Sequence, residues 1–171
     1  PEDFSPVFRA SPEDGINDAN EHHRAWTIEL ERGTNNKLYA LFITRFGTKI
    51  ADSLAGDADH RLFYASFDDK WRFEEIAKMG PGLHKGEQDY TGLGTIHPNN
   101  PNLIYISTAF DPRSDKILNK HEIFKGVRKD NEWQWSQITR NSTVDNIRPA
   151  IPHWDNSHTG VFWLRGDYPW Q

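Results

Sequence analysis

Three short apolar runs punctuate the chain, each set between polar, turn-forming clusters: LYALFI at 38–43, LIYIS at 103–107 and VFWL at 161–164. Runs of this length, rich in β-branched and aromatic residues and bounded by Asn, Pro and Gly, read as strands. Their near-continuous apolarity, in place of strict alternation, predicts strands covered on both faces. Each run follows another strand-like segment and a turn of one character, RGTNNK, HPNNPN or WDNSHTG. Asn, Gly and Pro suit such turns because they tolerate positive φ or preset a bend. The strand pairs so defined run from 24 to 45, 89 to 110 and 145 to 166.

A second hairpin follows the first two pairs, HRLFYASFDDKWRFEEIA from His60 and HEIFKGVRKDNEWQWSQIT from His121. His, Phe, a charged turn and Trp recur in the same order. His60 to His121 and Phe63 to Phe124 are both 61 residues apart, and Trp71 to Trp133 is 62. A hairpin recurring at a near-constant interval marks a repeat, here of four antiparallel strands. The expected fold class is therefore all-β, part of a β-propeller with four-stranded antiparallel blades. One blade is expected at 24–79, a second at 89–139 and half a blade at 145–166, after a leading loop at 1–23. The repeat spacing of 56 to 66 residues (Tyr90 to Asn146, Tyr39 to Tyr105) exceeds the ~40–50 of compact propellers. Insertions between the second and third strands account for the excess, with FGTKIADSLAGDAD and DPRSDKILNK read as polar loops. A β-sandwich is the rival architecture, since short strands with Gly/Pro turns fit it too. Propellers close with about four to eight blades, so 1–171 reads as one partial propeller domain. The remaining blades, of the same polypeptide or another copy, are its expected partner, and the start at Pro1 reads as processed or truncated.

Composition narrows the function classes. The 171 residues carry a formal net charge of −5, which disfavours a nucleic-acid partner because phosphate neutralisation dominates that affinity. No apolar run reaches the roughly 18 residues needed to span a bilayer, so no membrane partner is expected. The absence of cysteine excludes disulfides and thiolate metal sites and says little about compartment. Seven Trp, ten Phe and five Tyr beside one Met favour a β-rich, aromatic-packed core.

The hairpin turns FDDKW and KDNEW resemble a degenerate Asp-box, keeping its Asp and Trp. The longer series DHRLFYASFDDKW, GEQDYTGLGTIHPNNPNLIYISTAFDP, HEIFKG, ITRNSTVDNIRPAIPHWD and WLRGDY resembles the BNR-4 type of propeller found in ulvan lyases and related rhamnose-glucuronate lyases and rhamnosidases. The likeness runs from about 24 to 168. It implies the later part of a seven-bladed, secreted propeller, extracellular or periplasmic, that cleaves a uronic-acid-containing polysaccharide by β-elimination. An α-L-rhamnosidase or a noncatalytic glycan-binding or assembly propeller on the same scaffold are the alternatives. The family's catalytic histidine and Tyr/Arg motifs belong to earlier blades and have no match here. A divalent cation, Ca or Zn, is implied by the resemblance only; no metal ligands are assigned, and the acidic loop around Asp57 and Asp59 is a weak calcium candidate.

A uronate lyase must neutralise a carboxylate, supply a base and protonate the leaving oxygen. Propeller channels are lined by the innermost strand of each blade and the loops entering it, here HHRAW, DYTG and DNIRP. Arg148 is the candidate carboxylate clamp, because its planar fork binds carboxylates bidentately and stays charged; Pro149 is expected to hold it extended. Asn146 beside it is a candidate substrate contact. Tyr90 is a candidate for sugar binding or proton transfer, and His22 and His23 for catalysis, against packing and solvated-loop roles. Trp26 is read as a sugar platform or a core residue. His60 and His121 fall at equivalent repeat positions and read as structural, and Trp71, Trp133 and Trp135 as packing between sheets. Ser142 sits in no nucleophile elbow, and the sequon at Asn141 reads as a turn.

Overall fold

A computed structural model describes residues 6–10, 22–46, 59–83, 90–154 and 157–167. These form three antiparallel sheets and no helix. Sheet I is β1 (His22–Arg32), β2 (Leu38–Phe46), β3 (Asp59–Phe67) and β4 (Trp71–Gly80), in sequence order. Sheet II repeats the arrangement with β5 (Gly94–His97), β6 (Asn100–Asp111), β7 (Lys116–Lys129) and β8 (Glu132–Gln137). Sheet III has two strands, β9 (Asp145–Ala150) and β10 (Phe162–Gly166). The all-β class and the four-stranded antiparallel sheets are as the repeat predicts. Among the described residues the sheets do not close on themselves.

The apolar runs form the inner strands of these sheets, where both faces are covered. In β2, every residue from Tyr39 to Arg45 is buried, and in β6 so is every residue from Ile104 to Ala109. One face of sheet I packs Leu41, Ile43, Leu62, Tyr64 and Met79 against Ile96, Ile104, Ile106 and Phe124 of sheet II. Its opposite face gathers Ala40, Phe42, Phe63 and Ala65 under Val7 and Phe8, with Phe42 and Phe63 stacked at 5.1 Å. Buried apolar side chains of this size each contribute roughly 1.5–3 kcal/mol. Polar tethers fix how the sheets sit: Thr108 donates to the Lys78 carbonyl at 2.6 Å, and Tyr64 donates to that of Pro101 at 3.1 Å. Gly80 is needed where β4 meets β6, because its φ is +89° and a Cβ there would lie 2.8 Å from the Ala109 methyl.

Several local expectations differ from the structure. DPRSDKILNK is not a loop insertion. Its second half is the start of β7, with Asp111 opposite Lys116 and Phe110 opposite Ile117. A tight turn replaces the loop, since the Asp111 carbonyl accepts from Ser114 and Asp115 and Asp115 takes a φ of 57°, a left-handed conformation that Asp tolerates. The other insertion lies, from 47 to 58, outside the described residues, as does Asp57. β1 starts at His22, inside the expected leading loop, and sheet II starts at Gly94, after the expected boundary. VFWL is not covered on both faces: Phe162 is 61% and Leu164 53% exposed, because β10 pairs only with β9. Trp26, 62% exposed, is no core residue.

The repeated histidines and tryptophans are structural. His60 is fully buried and its Nδ1–H donates to the Gly80 carbonyl. His121 is buried against Asp145. Trp133 and Trp135, both half-buried, stack on one another and pack against the core between sheets I and II. Trp133 meets the Tyr64 ring edge-on at 5.1 Å and donates its indole N–H to Glu74. Trp133→Ala is expected to lower stability by about 2–3 kcal/mol, below the full range for a buried tryptophan because part of the indole is exposed. Trp133→Phe, which keeps the edge contact and loses the donor, should recover about half of this in urea unfolding; unchanged midpoints for both variants would show that the indole does not hold the sheets together.

Candidate functional site

Strand polarity collects the chemistry at one end of the molecule. In sheet I, His22 lies opposite Phe46, Phe46 opposite Asp59 and His60 opposite Gly80, so the starts of β1 and β3 and the ends of β2 and β4 share an edge. The same holds for Asp111 and Lys116 in sheet II and for Asp145 and Gly166 in sheet III. The first strands β1, β5 and β9 are neighbours in that order, with β5 touching both others. Arg24 lies near the start of β1, Tyr90 four residues before β5 and Arg148 midway along β9.

Tyr90 and Arg148, chosen separately from sequence, meet in the structure. The Arg148 guanidinium lies 5.0 Å from the centre of the Tyr90 ring, a cation–π separation. Arg148 is exposed while Tyr90 is half-buried and its phenol oxygen fully so. Pro149 does not hold Arg148 extended: its φ is 54°. The backbone turns left-handed because β9 bulges against β10, the register shifting between Phe162 and Leu164. It is held there by the Arg148 N–H, which donates to the Gly92 carbonyl at 2.8 Å. Gly92 has no room for a side chain, since a Cβ would lie 2.3 Å from the Ser107 carbonyl oxygen. The other side of this junction is fixed by the Leu83 N–H donating to the Tyr90 carbonyl at 2.7 Å.

Asn146 is buried and its side chain is taken up within the protein. Its amide donates to the His121 carbonyl, Glu122 and the Ser142 hydroxyl, and its oxygen accepts from the Trp163 indole. Its carbonyl also accepts from Ser107 at 2.6 Å. Asn146 thus ties sheet III to sheet II beneath Arg148 and presents no group to a substrate. Sequence reasoning missed Glu122, which is 3% exposed and accepts from the Ser142 N–H and hydroxyl; its place in an otherwise apolar strand segment, EIF, was the available signal. Beside it, burial alone would push the Asp145 carboxyl up, but hydrogen bonds from the His121 side chain and N–H, with the charge of Lys120, hold it below its ordinary value.

The remaining candidates are placed apart from this pair. His22 lies on the face of sheet I turned away from sheet II, packed on Phe8, Phe46 and Phe63, with Nδ1 2.6 Å from the Thr44 hydroxyl. The backbone of His23 pairs with Arg45; its side chain lies outside the described residues. Trp26 lines an open cleft with Arg24, Arg45 and His60. Asp59 is bound by the Arg61 guanidinium at 2.5 and 3.0 Å, and the described residues hold no group of three acidic or histidine side chains fit for a metal ion. The cation implied by the resemblance therefore has no ligand set among them.

Compared with known proteins, the chain matches no family, no curated protein and no solved structure. The likeness to BNR-4 propellers rests on the sequence strings alone.

Gly92→Ala should cost about 1–3 kcal/mol of stability, since its methyl meets backbone that cannot give way; a native-like unfolding midpoint would show that β5 and β6 can separate there. Asp145 gives a pH prediction. With its folded pKa below the ordinary 3.8, its ionised form stabilises above that value, and this contribution is lost as pH falls through the folded pKa. Asp145→Asn should therefore be less stable than wild type at pH 7 and closer to it at pH 3. Parallel urea curves at both pH values test the sign.

Proposed function

We propose that the chain forms consecutive blades of a secreted β-propeller that acts on uronic-acid-containing polysaccharides, with Arg148 as the carboxylate clamp. The propeller reading is supported by the repeat of sheet I in sheet II, by their face-to-face stacking and by the first strands β1, β5 and β9 lying side by side. The observation that carries the functional reading is the exposed Arg148 guanidinium, seated over Tyr90 on a left-handed backbone. A guanidinium lying on a ring keeps N–H donors at its edge, and these suit a carboxylate bound through both oxygens.

The chemistry assigned to the whole protein is β-elimination. A base takes the proton alpha to the uronate carboxylate, the electron pair forms a double bond toward the 4-position, and the bond to the 4-linked oxygen breaks as that oxygen is protonated. Negative charge builds on the carboxylate during proton removal, so a fixed guanidinium there stabilises the transition state more than the ground state. Arg148 supplies this neutralisation. Tyr90, whose phenol oxygen is buried, acts as a positioning residue that holds the guanidinium by its ring, and the base is not assigned to it. That burial also favours a second reading, a noncatalytic propeller that binds the same anionic glycan through Arg148.

In the complete protein, Arg148→Ala should lower kcat/KM on a rhamnose-glucuronate polymer by roughly 100-fold, the scale of a lost transition-state charge contact. Arg148→Lys should fall between, keeping charge but losing the fork. Turnover is read as absorbance of the unsaturated uronate, with folding checked by circular dichroism. A folded Arg148→Ala with wild-type turnover removes the clamp. Binding that depends on Arg148 without any unsaturated product selects the noncatalytic reading, and release of rhamnose without it selects a hydrolase.

A further inference from the structure

Sheet III is joined to the rest of the molecule by a different kind of contact from the one that joins sheets I and II. The buried residues of the apolar layer between sheets I and II come from β2 to β7. In β9 and β10 only Asn146, Ile147 and Pro149 are buried, while Phe162 and Leu164 are exposed. Burial of apolar surface is the dominant force that docks one element on another, and sheet III supplies little of it. Its hold on sheet II is polar instead. The Asp145 carboxylate accepts from the His121 N–H at 2.9 Å and lies 3.3 Å from His121 Nδ1 and 3.6 Å from Lys120 Nζ. Lys120 also reaches Asp167, just past β10, at 3.2 Å. Asn146 donates to the His121 carbonyl and to Glu122, the Ser107 hydroxyl donates to the Asn146 carbonyl, and the Arg148 N–H donates to that of Gly92. At the far end of the sheet, His97 Nε2 lies 3.0 Å from the Thr159 hydroxyl in an exposed contact.

A hydrogen bond adds little net stability, because the same groups bond to water once they are exposed. A junction made of such bonds can therefore part without wetting an extended apolar layer. Docking also preserves two unfavourable features. His121 Nε2 is buried with no hydrogen-bond partner among the described residues, and Arg148 is held at a φ of 54°. Separation lets water reach the first and frees the backbone of the second from its bond to Gly92.

We infer that sheet III is a separately opening unit, which undocks from sheet II while sheets I and II stay folded, and that the cluster around Asp145 and Asn146 holds it closed. Tyr90 stays behind in this motion, since its carbonyl accepts from the N–H of Leu83, a buried residue. Undocking therefore takes the Arg148 guanidinium off the Tyr90 ring. Under the function proposed above, the carboxylate clamp exists only in the docked state, and docking gates it. The opening itself does not depend on that function.

The test is native-state hydrogen exchange, read by NMR on the 171-residue chain across a range of urea too dilute to unfold it. The Arg148 N–H is a direct reporter, because its acceptor lies outside sheet III. The ladder amides report as well, since a two-stranded sheet on its own is marginal in water and exchanges once undocked. In wild type the amides of β9 and β10 should share one exchange free energy. They should exchange roughly tenfold or more faster than the slowest amides of β6 and β7, with a shallower dependence on urea, because undocking exposes less surface than unfolding. Asp145→Asn should raise the sheet III rates together by roughly tenfold, the scale of a lost hydrogen bond to a charged group. The gap to β6 and β7 should persist in that variant, since both sets are measured from the same docked state. Sheet III amides that share the rate and urea slope of β6 and β7 overturn the separate unit, and this wild-type result needs no variant to fold. Fast exchange at Arg148 alone, without the rest of β9 and β10, reduces the opening to local fraying and overturns it too. Unchanged sheet III rates in Asp145→Asn overturn the role of the cluster.

Discussion

The arrangement of this protein depends on the apolar layer between sheets I and II. A strand such as β2, buried from Tyr39 to Arg45, has no face that tolerates water, so its sheet must be stacked on both sides. Stacking brings Leu41, Ile43, Leu62 and Met79 against Ile96, Ile104, Ile106 and Phe124. Apolar contact is non-directional and alone would let the sheets slide. Polar tethers at their edges settle the offset. Glu29 of β1 accepts from the Thr95 hydroxyl and the Ile96 N–H of β5, Thr108 holds Lys78, and Ser107 holds Asn146. The Glu29 tether carries a cost, because burial pushes its carboxyl up against the lowering effect of those same hydrogen bonds. With the offsets fixed, β1, β5 and β9 lie side by side, and the Arg148 guanidinium meets the Tyr90 ring.

Backbone strain recurs in the first strands. Arg24, near the start of β1, Leu93, just before β5, and Arg148, midway along β9, take φ values of 44°, 65° and 54°. A left-handed, non-glycine residue costs on the order of 1–3 kcal/mol; the Leu93 carbonyl accepts from the Ser107 N–H of the same sheet, and the Arg148 N–H donates across to Gly92 of sheet II. Bulges of this kind re-aim a side chain that regular pairing would direct along the sheet normal. At β9 the re-aimed side chain is the one that reaches Tyr90. Strain and site coincide there, and Gly92, which carries the acceptor carbonyl, is packed too tightly against Ser107 for any side chain.

Much of this was legible in the chain because it is local. Apolar runs, Asn/Pro/Gly turns and the His-to-Trp hairpin repeat placed the strands within a few residues, and one repeated position was enough to read His60 and His121 as structural. The repeat also pointed to the starts of the first strands, so Tyr90 and Arg148 were found before their contact was visible. What failed was set by neighbours distant in sequence. KILNK looked polar and loop-like, but it pairs with β6 and becomes strand. Proline chemistry predicted an extended Arg148, whereas a hydrogen bond to Gly92, 56 positions earlier, determines its backbone. Asn146 had the chemistry of a ligand contact and became a knot between sheets. Trp26 looked as much like core as platform, and only the position of β1 at the sheet edge distinguishes the two. Arg45 gave no signal beyond being charged at the end of an apolar run.

The net negative charge does not by itself decide the proposed anion-binding role, because the described acids at this end are ion-paired or hydrogen-bonded within the protein. Asp145 is held by His121 and Lys120, and Asp167 by Lys120. Arg61 binds Asp59 and Glu75, Arg113 binds Asp111, and Glu122 is committed to Ser142 and Asn146. Lys120 and Arg61 each serve two acids and Glu122 is held by neutral donors, so the negative charge here is only partly cancelled. More distant acids are screened, since the Debye length at physiological salt is about 8 Å. What a ligand meets at close range is then set by individual groups. Arg148 has an aromatic partner and no carboxylate partner among the described residues, so its charge is not cancelled locally. A guanidinium on a π face gains attraction without surrendering its edge donors, and under the proposed function a global charge of −5 would govern how fast an anionic polymer arrives more than how firmly it is held.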